Sequence, residues 1–328
     1  MPGAFTFGCA GTRLARDEAR FLRDADPWGF ILFARNVDTP DRLHGLIDSL
    51  RDAVGRNAPV LIDQEGGRVE RMGPPHWTGW PPPLDHMLTV RDPERAMRLR
   101  AAMIGAELRA VGIDVNCTPC ADIARDDTHP VLRNRCYGTV PETVALLARA
   151  NAEGCLEGGV LPVMKHVPGH GRANRDSHHA LPRVTTSLEE LHATDFVPFQ
   201  ALADLPMAMT AHVVFEALDP ERPATIAPDV IDVIRRDIGF DGLLMTDDVS
   251  MNALPGGTAE RCEAALRAGC DLVLHCNGDR ADMERVARTV PALAGRAEER
   301  AAAALVRRPE GATLDIDDAR AELAALAA

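Results

Sequence analysis

Eight short apolar runs constrain this fold more than any other feature of the chain. They are Phe5–Ala10, Phe30–Ala34, Val60–Asp63, Ile113–Thr118, Val160–His166, Met207–Val213, Gly242–Asp247 and Asp271–Cys276. Each is continuous rather than alternating, as a strand buried on both faces requires. A polar or Gly-rich stretch and then a helical pattern follow each run. Helices are expected over Arg13–Asp24, Asp41–Val54, Pro93–Val111, Glu142–Glu157, Pro228–Ile238 and Ala259–Ala268. In the second of these, Leu43, Leu46, Ile47 and Leu50 recur at helical spacing, and in the third Pro93 suits a first turn.

Eight strands alternating with helices in 328 residues predict an α/β chain folded as a (β/α)8 TIM-type barrel. A doubly wound sheet is the alternative. The barrel is preferred because polar residues cluster just after the strand ends: Asp63-Gln64-Glu65, Thr118-Pro119, Lys165-His166, His212 and Asp247-Asp248. In a barrel those positions converge on one mouth. No linker or composition break interrupts the pattern, so residues 1–328 are expected to form a single domain. The Ala-, Arg- and Glu-rich stretch Arg280–Ala328 is expected to supply outer helices.

Composition excludes some partners. The net charge of -13 argues against nucleic acid and against an anionic membrane surface. No apolar run approaches the roughly 18 residues of a membrane span. Met1–Gly11 lacks a basic region followed by an adequate apolar core, so a cytoplasmic location is expected. Eight Cys would stay reduced there, mostly as small hydrophobes. Cys117 and Cys120 form a C-x-x-C with no second pair at zinc-finger spacing. Neither a metal nor a cofactor is expected, and the chain is expected to be monomeric.

The chemistry-bearing residues lie at strand ends. Lys165 is the only lysine among 36 Lys plus Arg. A chain that otherwise uses the planar, forked guanidinium here uses a compact point charge with three donors. It opens the segment Lys165–His178, which is too polar and too rich in Gly and Pro for a helix and is expected as an exposed loop. Within it, Asp176 can accept from one nitrogen of the His178 imidazole and leave the other free for proton transfer. A metal site from His166, His170, His178, His179 and Asp176 is the rival, although Pro168-Gly169 spoils helical spacing between the first two. Asp247 ends a buried strand, where a carboxylate is costly unless paired or functional; Asp248 suits a helix cap. Asp63–Arg71 follows another buried strand, with Gly66-Gly67 permitting close approach. Its bland alternative is a tight strand-to-helix turn with surface ion pairs.

Lys165-His166-Val167-Pro168-Gly169-His170-Gly171 followed by Asp176-Ser177-His178 resembles the signature loop of bacterial β-N-acetylhexosaminidases in glycoside hydrolase family 3. Other segments agree in family order: Ile62–Val69, Gly112–Asn116, His129–Gly138, Met209–His212 and Thr246–Met251. The resemblance implies a retaining hydrolase that removes terminal β-linked N-acetylglucosamine. It assigns the nucleophile to Asp247, the acid/base to His178 with Asp176 as its partner, and sugar binding to Asp63, Arg71, Arg135, Lys165 and His166. The single-domain form resembles cytoplasmic enzymes that trim anhydro-muropeptides in peptidoglycan recycling, so the implied partner is a small sugar or muropeptide. Departures from the family pattern are Val167 for Phe, Val249 for Leu, Arg133-Asn134 for Gly-Asp, and Cys117 and Cys120; none touches the implied catalytic groups. A phosphorylase using the same site, a metal-dependent barrel hydrolase and a non-catalytic sugar-binding barrel remain open alternatives.

Overall fold

The computed structural model describes residues 1–173 and 181–327. Eight parallel strands close into a barrel: β1 (Gly3–Phe7), β2 (Pro27–Leu32), β3 (Val60–Ile62), β4 (Val115–Asn116), β5 (Leu161–Val167), β6 (Met207–Thr210), β7 (Leu243–Asp248) and β8 (Leu272–His275). Each pairs with its sequence neighbours, and β8 returns to β1 through Phe5↔Val273, Thr6↔Leu274 and Phe7↔His275. That closure rules out the doubly wound alternative, whose open sheet would keep two edges. Every residue of β1, β2, β3 and β5 is buried. One face packs into the barrel and the other under the helices, which is why the apolar runs do not alternate.

All eight runs overlap a barrel strand, although the first two strands begin earlier, at Gly3 and Pro27. The least regular is the fourth, where the ladder covers only Val115–Asn116. The Asn116 side chain takes over from the backbone there. Its Oδ1 accepts from Gln64 N at 3.0 Å, and its Nδ2 donates to Gln64 O at 3.1 Å. Pro119, which has no N–H, then prevents the ladder from continuing regularly.

The six expected helices form, with ends moved by a few residues. Helix Pro40–Val54 shows the local signals plainly. Thr39 accepts from Arg42 N, Pro40 fills the first turn, and Gly55 closes the helix at φ 65°, a left-handed conformation that glycine adopts without penalty. Short helices at Leu188–Ala193 and Val197–Ala201 carry too few turns to show a periodicity. The C-terminal stretch forms the outer helices Arg280–Thr289, Gly295–Val306 and Ile316–Ala325. The last is tied to helix Pro93–Ala110 by an Arg95 fork on Glu322 at 2.6 and 2.7 Å. Among the described residues, no helix is long and apolar enough to cross a membrane.

Helices Pro93–Ala110 and Pro141–Glu157 pack closely because glycines lie between them. A Cβ on Gly154 would lie 2.2 Å from the Arg98 carbonyl oxygen, which is backbone and cannot swing aside. Gly154→Ala is expected to cost about 1–3 kcal/mol through overpacking. Gly45, in the middle of helix Pro40–Val54, has nothing within 4 Å of an added Cβ. There Gly45→Ala is expected to gain about 0.5–1 kcal/mol. Urea unfolding of the two variants should move the midpoint in opposite directions.

Candidate active site

Strand ends from around the barrel deliver Asp63, Lys165, His166 and Asp247 to one cavity at the C-terminal mouth, and loops add Arg71, Arg135 and His170. Lys165 is at its centre. It is 1% exposed, and its Nζ lies 2.8 Å from Asp63 Oδ1 and 2.6 Å from Glu65 Oε1. Arg135 forks onto the same Glu65, with Nε to Oε2 at 2.9 Å and Nη2 to Oε1 at 2.8 Å. Arg71 reaches the other oxygen of Asp63 at 3.4 Å, its guanidinium lying 5.4 Å from the Phe33 ring centroid. Two carboxylates are thus interleaved with three cations.

The charges hold one another ionised. Burial would raise the Asp63 carboxyl, but Lys165 and Arg71 outweigh it and hold the group well below the usual carboxylate range. Glu65 is affected the same way: burial opposes, Arg135 and Lys165 prevail, and the carboxyl falls to about 2. Burial would lower the Lys165 ammonium, yet Asp63 and Glu65 raise it. The ammonium meets two carboxylates at once, a task that suits a compact donor set better than a planar fork.

The segment after β3 turns back so that Arg71 can reach Asp63. Gly66 and Gly67 take φ of 95° and 60°, and a Cβ on Gly67 would lie 2.8 Å from Pro82 Cα. Gln64 Oε1 accepts from Arg71 N and Met72 N at 2.8 and 3.0 Å, and Gln64 Nε2 donates to Met72 O at 2.6 Å. Arg100 donates to the Glu65 carbonyl at 2.9 Å. The bland expectation for this segment is therefore corrected: its ion pairs are buried in the mouth, and no helix follows before Pro83. Glu65, 3% exposed, stands in the strand-end cluster expected at the mouth but without an expected site role; its pairing with Lys165 and Arg135 supplies one.

The exposed loop expected over Lys165–His178 is also corrected for the residues described. Lys165, His166 and Val167 belong to β5, and His170, Gly171 and Ala173 are buried. The cause is Asp122, which no local pattern marks. Its Oδ2 accepts from His166 Nδ1 at 2.7 Å, and its Oδ1 accepts from His170 N at 2.6 Å. This pulls the segment inward. With Nδ1 donating, His166 presents Nε2 toward Arg135 Nη2, 3.4 Å away. Asp176 and His178 lie outside the described residues.

Asp247 stands at the end of β7, its Oδ1 accepting from Asp248 N at 2.8 Å. Burial pushes its carboxyl up, but His212, His166, the Asp248 N–H and Lys165 together hold it below its ordinary value. His212 Nε2 donates to the Asp248 carbonyl at 3.0 Å, and Nδ1 accepts from Thr225 Oγ1 at 2.7 Å; the tautomer follows from the carbonyl, which can only accept. Asp248 caps a turn rather than a helix, accepting from Ser250 N, Ser250 Oγ and Cys276 N.

Cys120, Asp122 and His166 offer donor atoms within 4.8 Å of one another, close enough to share a metal ion. Asp122 Oδ2 already accepts from His166 Nδ1 and from Cys120 Sγ, the latter at 3.3 Å. Hydrogen bonds within the trio therefore account for its geometry. Of the ligands set out from sequence, His166 belongs to this group, and the His170 ring lies tilted beside it, the planes 55° apart and the centroids 5.4 Å apart.

Comparison with known proteins gives a consistent result. The profile of the Glycosyl hydrolase family 3 N terminal domain matches residues 6–308. A beta-hexosaminidase of Alkalilimnicola ehrlichii is 39% identical over 286 residues, covering 84% of this chain and 81% of its own length. A glycoside hydrolase family 3 beta-N-acetylglucosaminidase from Paenibacillus is similar in structure, with a TM-score of 0.87 at 30% identity over 98% of this chain and 66% of that one. NagZ from Neisseria gonorrhoeae, solved in complex with zinc ion, has a TM-score of 0.87 at 29% identity over 100% of this chain and 98% of its own.

Removing the central cation leaves two buried carboxylates short of positive charge. Lys165→Met is expected to destabilise the chain by about 3–5 kcal/mol, the range for breaking a buried ion pair from one side, read as a fall in the urea midpoint at pH 7. Acid should act through the same pairs. The Glu65 carboxyl titrates at about 2 in the folded chain against about 4.3 when unfolded, so the unfolded state takes up the proton first. Its contribution is complete above about pH 4.3 and is lost as the pH falls toward 2. Glu65→Gln should flatten the slope of unfolding free energy against pH across that window.

Proposed function

This chain belongs to glycosyl hydrolase family 3 and is a glycosidase of the β-N-acetylhexosaminidase type, and on that premise we propose that it releases terminal β-linked N-acetylglucosamine with retention, through a glycosyl-enzyme on Asp247. The observation that carries this reading is the placement of an ionised Asp247 in the same cavity as Asp63, Lys165 and Arg135, the last two paired to Glu65 behind it. Asp63 is suited to accept from two neighbouring sugar hydroxyls. Lys165, Arg71, Arg135 and His166 supply donors for the remaining hydroxyls or the acetamide carbonyl.

In the first half of the reaction, the Asp247 carboxylate forms a bond to the anomeric carbon. The bond to the leaving oxygen breaks, and that oxygen takes a proton from His178. In the second half, water gives a proton to His178 and attacks the anomeric carbon, and the carbon–Asp247 bond breaks. Retaining glycosidases ordinarily place two carboxyls about 5–5.5 Å apart for these roles. Here an imidazole with an unperturbed pKa near 6.5 stands in for one of them. Asp176 stabilises the imidazolium in the acid half and holds the ring tautomer. The substrate class we assign is an anhydro-muropeptide or a related peptidoglycan fragment, met in the cytoplasm.

Hydrolysis is favoured over phosphorolysis by the pairing in the mouth. Lys165, Arg71 and Arg135 each already face a carboxylate, so none of these three is left over to clamp a phosphate.

Asp247→Asn is expected to lower 4-nitrophenol release from its N-acetyl-β-glucosaminide by roughly three orders of magnitude or more, as loss of a nucleophile does. A 5-fluoro glycoside should leave its label on Asp247, and a label on another residue would overturn the mechanism. Added phosphate should yield no sugar 1-phosphate, and a chelator should leave the rate unchanged.

A further inference from the structure

His170 sits in the mouth beside the His166 ring. The residue is 7% exposed and lines the cavity that holds Lys165, His166 and Asp247. Its Nδ1 is buried without a hydrogen-bond partner, and the ring makes no hydrogen bond to another described residue. Buried polar atoms are ordinarily paired, so an unpaired one calls for an occupant. The backbone here is built to hold this residue in place. His170 N donates to Asp122 Oδ1 at 2.6 Å, Gly169 takes φ 141°, and a Cβ on Gly171 would lie 2.0 Å from the Ile123 carbonyl oxygen.

The ring's surroundings decide what it can bind. Burial first, then His166 and Arg135, push the His170 imidazole down to about 4, against the opposing pull of Asp122. It is therefore neutral at pH 7, with one donor and one acceptor nitrogen. A carboxylate or phosphate would favour the charged ring, which this environment opposes. A hydroxyl, able to donate or accept, fits either nitrogen.

We infer that His170 is a further substrate-contacting residue, bonding a ring hydroxyl of the N-acetylhexosamine. The inference rests on the sugar-binding reading of this cavity and adds a neutral partner to its charged ones.

The test is the kinetics of His170→Phe, His170→Asn and His170→Gln on 4-nitrophenyl N-acetyl-β-glucosaminide and its 3-, 4- and 6-deoxy forms. Phe fills the ring's volume without hydrogen bonding. Asn and Gln place an amide near Nδ1 and Nε2, respectively. His170→Phe is expected to keep the wild-type Tm and lose about tenfold in kcat/KM, with Asn or Gln restoring part of it. On one deoxy substrate the wild type and His170→Phe should become equal, because the contact is already missing. Unchanged kcat/KM in His170→Phe, or losses that multiply on all three deoxy substrates, would overturn the inference. Should the Phe variant fail to fold, the Asn and Gln variants carry the same deoxy comparison. Absence of turnover by the wild type would instead overturn the glycosidase reading itself.

Discussion

The mouth of this barrel is organised around one buried ammonium. Lys165 brings a full charge to a place where it is 1% exposed, and such a charge persists only when paired. Its two partners come from the end of β3, Asp63 and Glu65. Those carboxylates in turn need more positive charge than one ammonium supplies, and Arg71 and Arg135 provide it. No single pair in this set is self-sufficient. The geometry of β3, β5 and the two arginine-bearing loops is therefore coupled through electrostatics, beyond what apolar packing of the barrel would impose.

A third carboxylate does comparable work nearby. Asp122 holds the His166 ring through Nδ1 and the His170 backbone through its N–H. It thereby fixes the tautomer of one imidazole and the position of another. Its own carboxyl, opposed by burial, is kept far below the usual range first by His166. The two arrangements meet where His166 Nε2 faces Arg135. Cys120, which donates its thiol to Asp122, joins this polar group rather than acting only as a small hydrophobe.

Much of this was legible in the sequence. Strands buried on both faces write themselves as continuous apolar runs, so the barrel and its mouth could be read from Phe5–Ala10 through Asp271–Cys276. The strand-end positions of Asp63, Lys165, His166 and Asp247 then follow, and all four reach the cavity. What could not be read was pairing across the chain. Glu65 meets Arg135 at a separation of 70 residues, and Asp122 meets His166 at 44. Nothing local marks either acid as buried; Asp122 sits in a stretch with no strand or helix period. The lone lysine was ambiguous for the same reason. A single lysine in the composition does not reveal its partners, and only the two carboxylates it meets show why a compact charge sits there.

The closed network bears on how the site can favour a transition state. Its donors and acceptors are oriented by one another before any substrate arrives, so little reorganisation remains to be done at the moment of reaction. Three carboxylates, Asp63, Glu65 and Asp247, balance three cations, Lys165, Arg71 and Arg135. Asp247 is held below its ordinary range without a tight salt bridge: it accepts from the neighbouring Asp248 N–H, and the pull of His212 and His166 on its carboxyl ranks ahead of that of Lys165. A carboxylate locked to an ammonium would be a poor nucleophile, because its lone pairs would be held. Here Lys165 is occupied by Asp63 and Glu65, which leaves the Asp247 carboxylate in the cavity free of a direct ammonium contact. The same pairing that makes Lys165 tolerable in the barrel therefore keeps it from quenching the group on which the proposed chemistry depends.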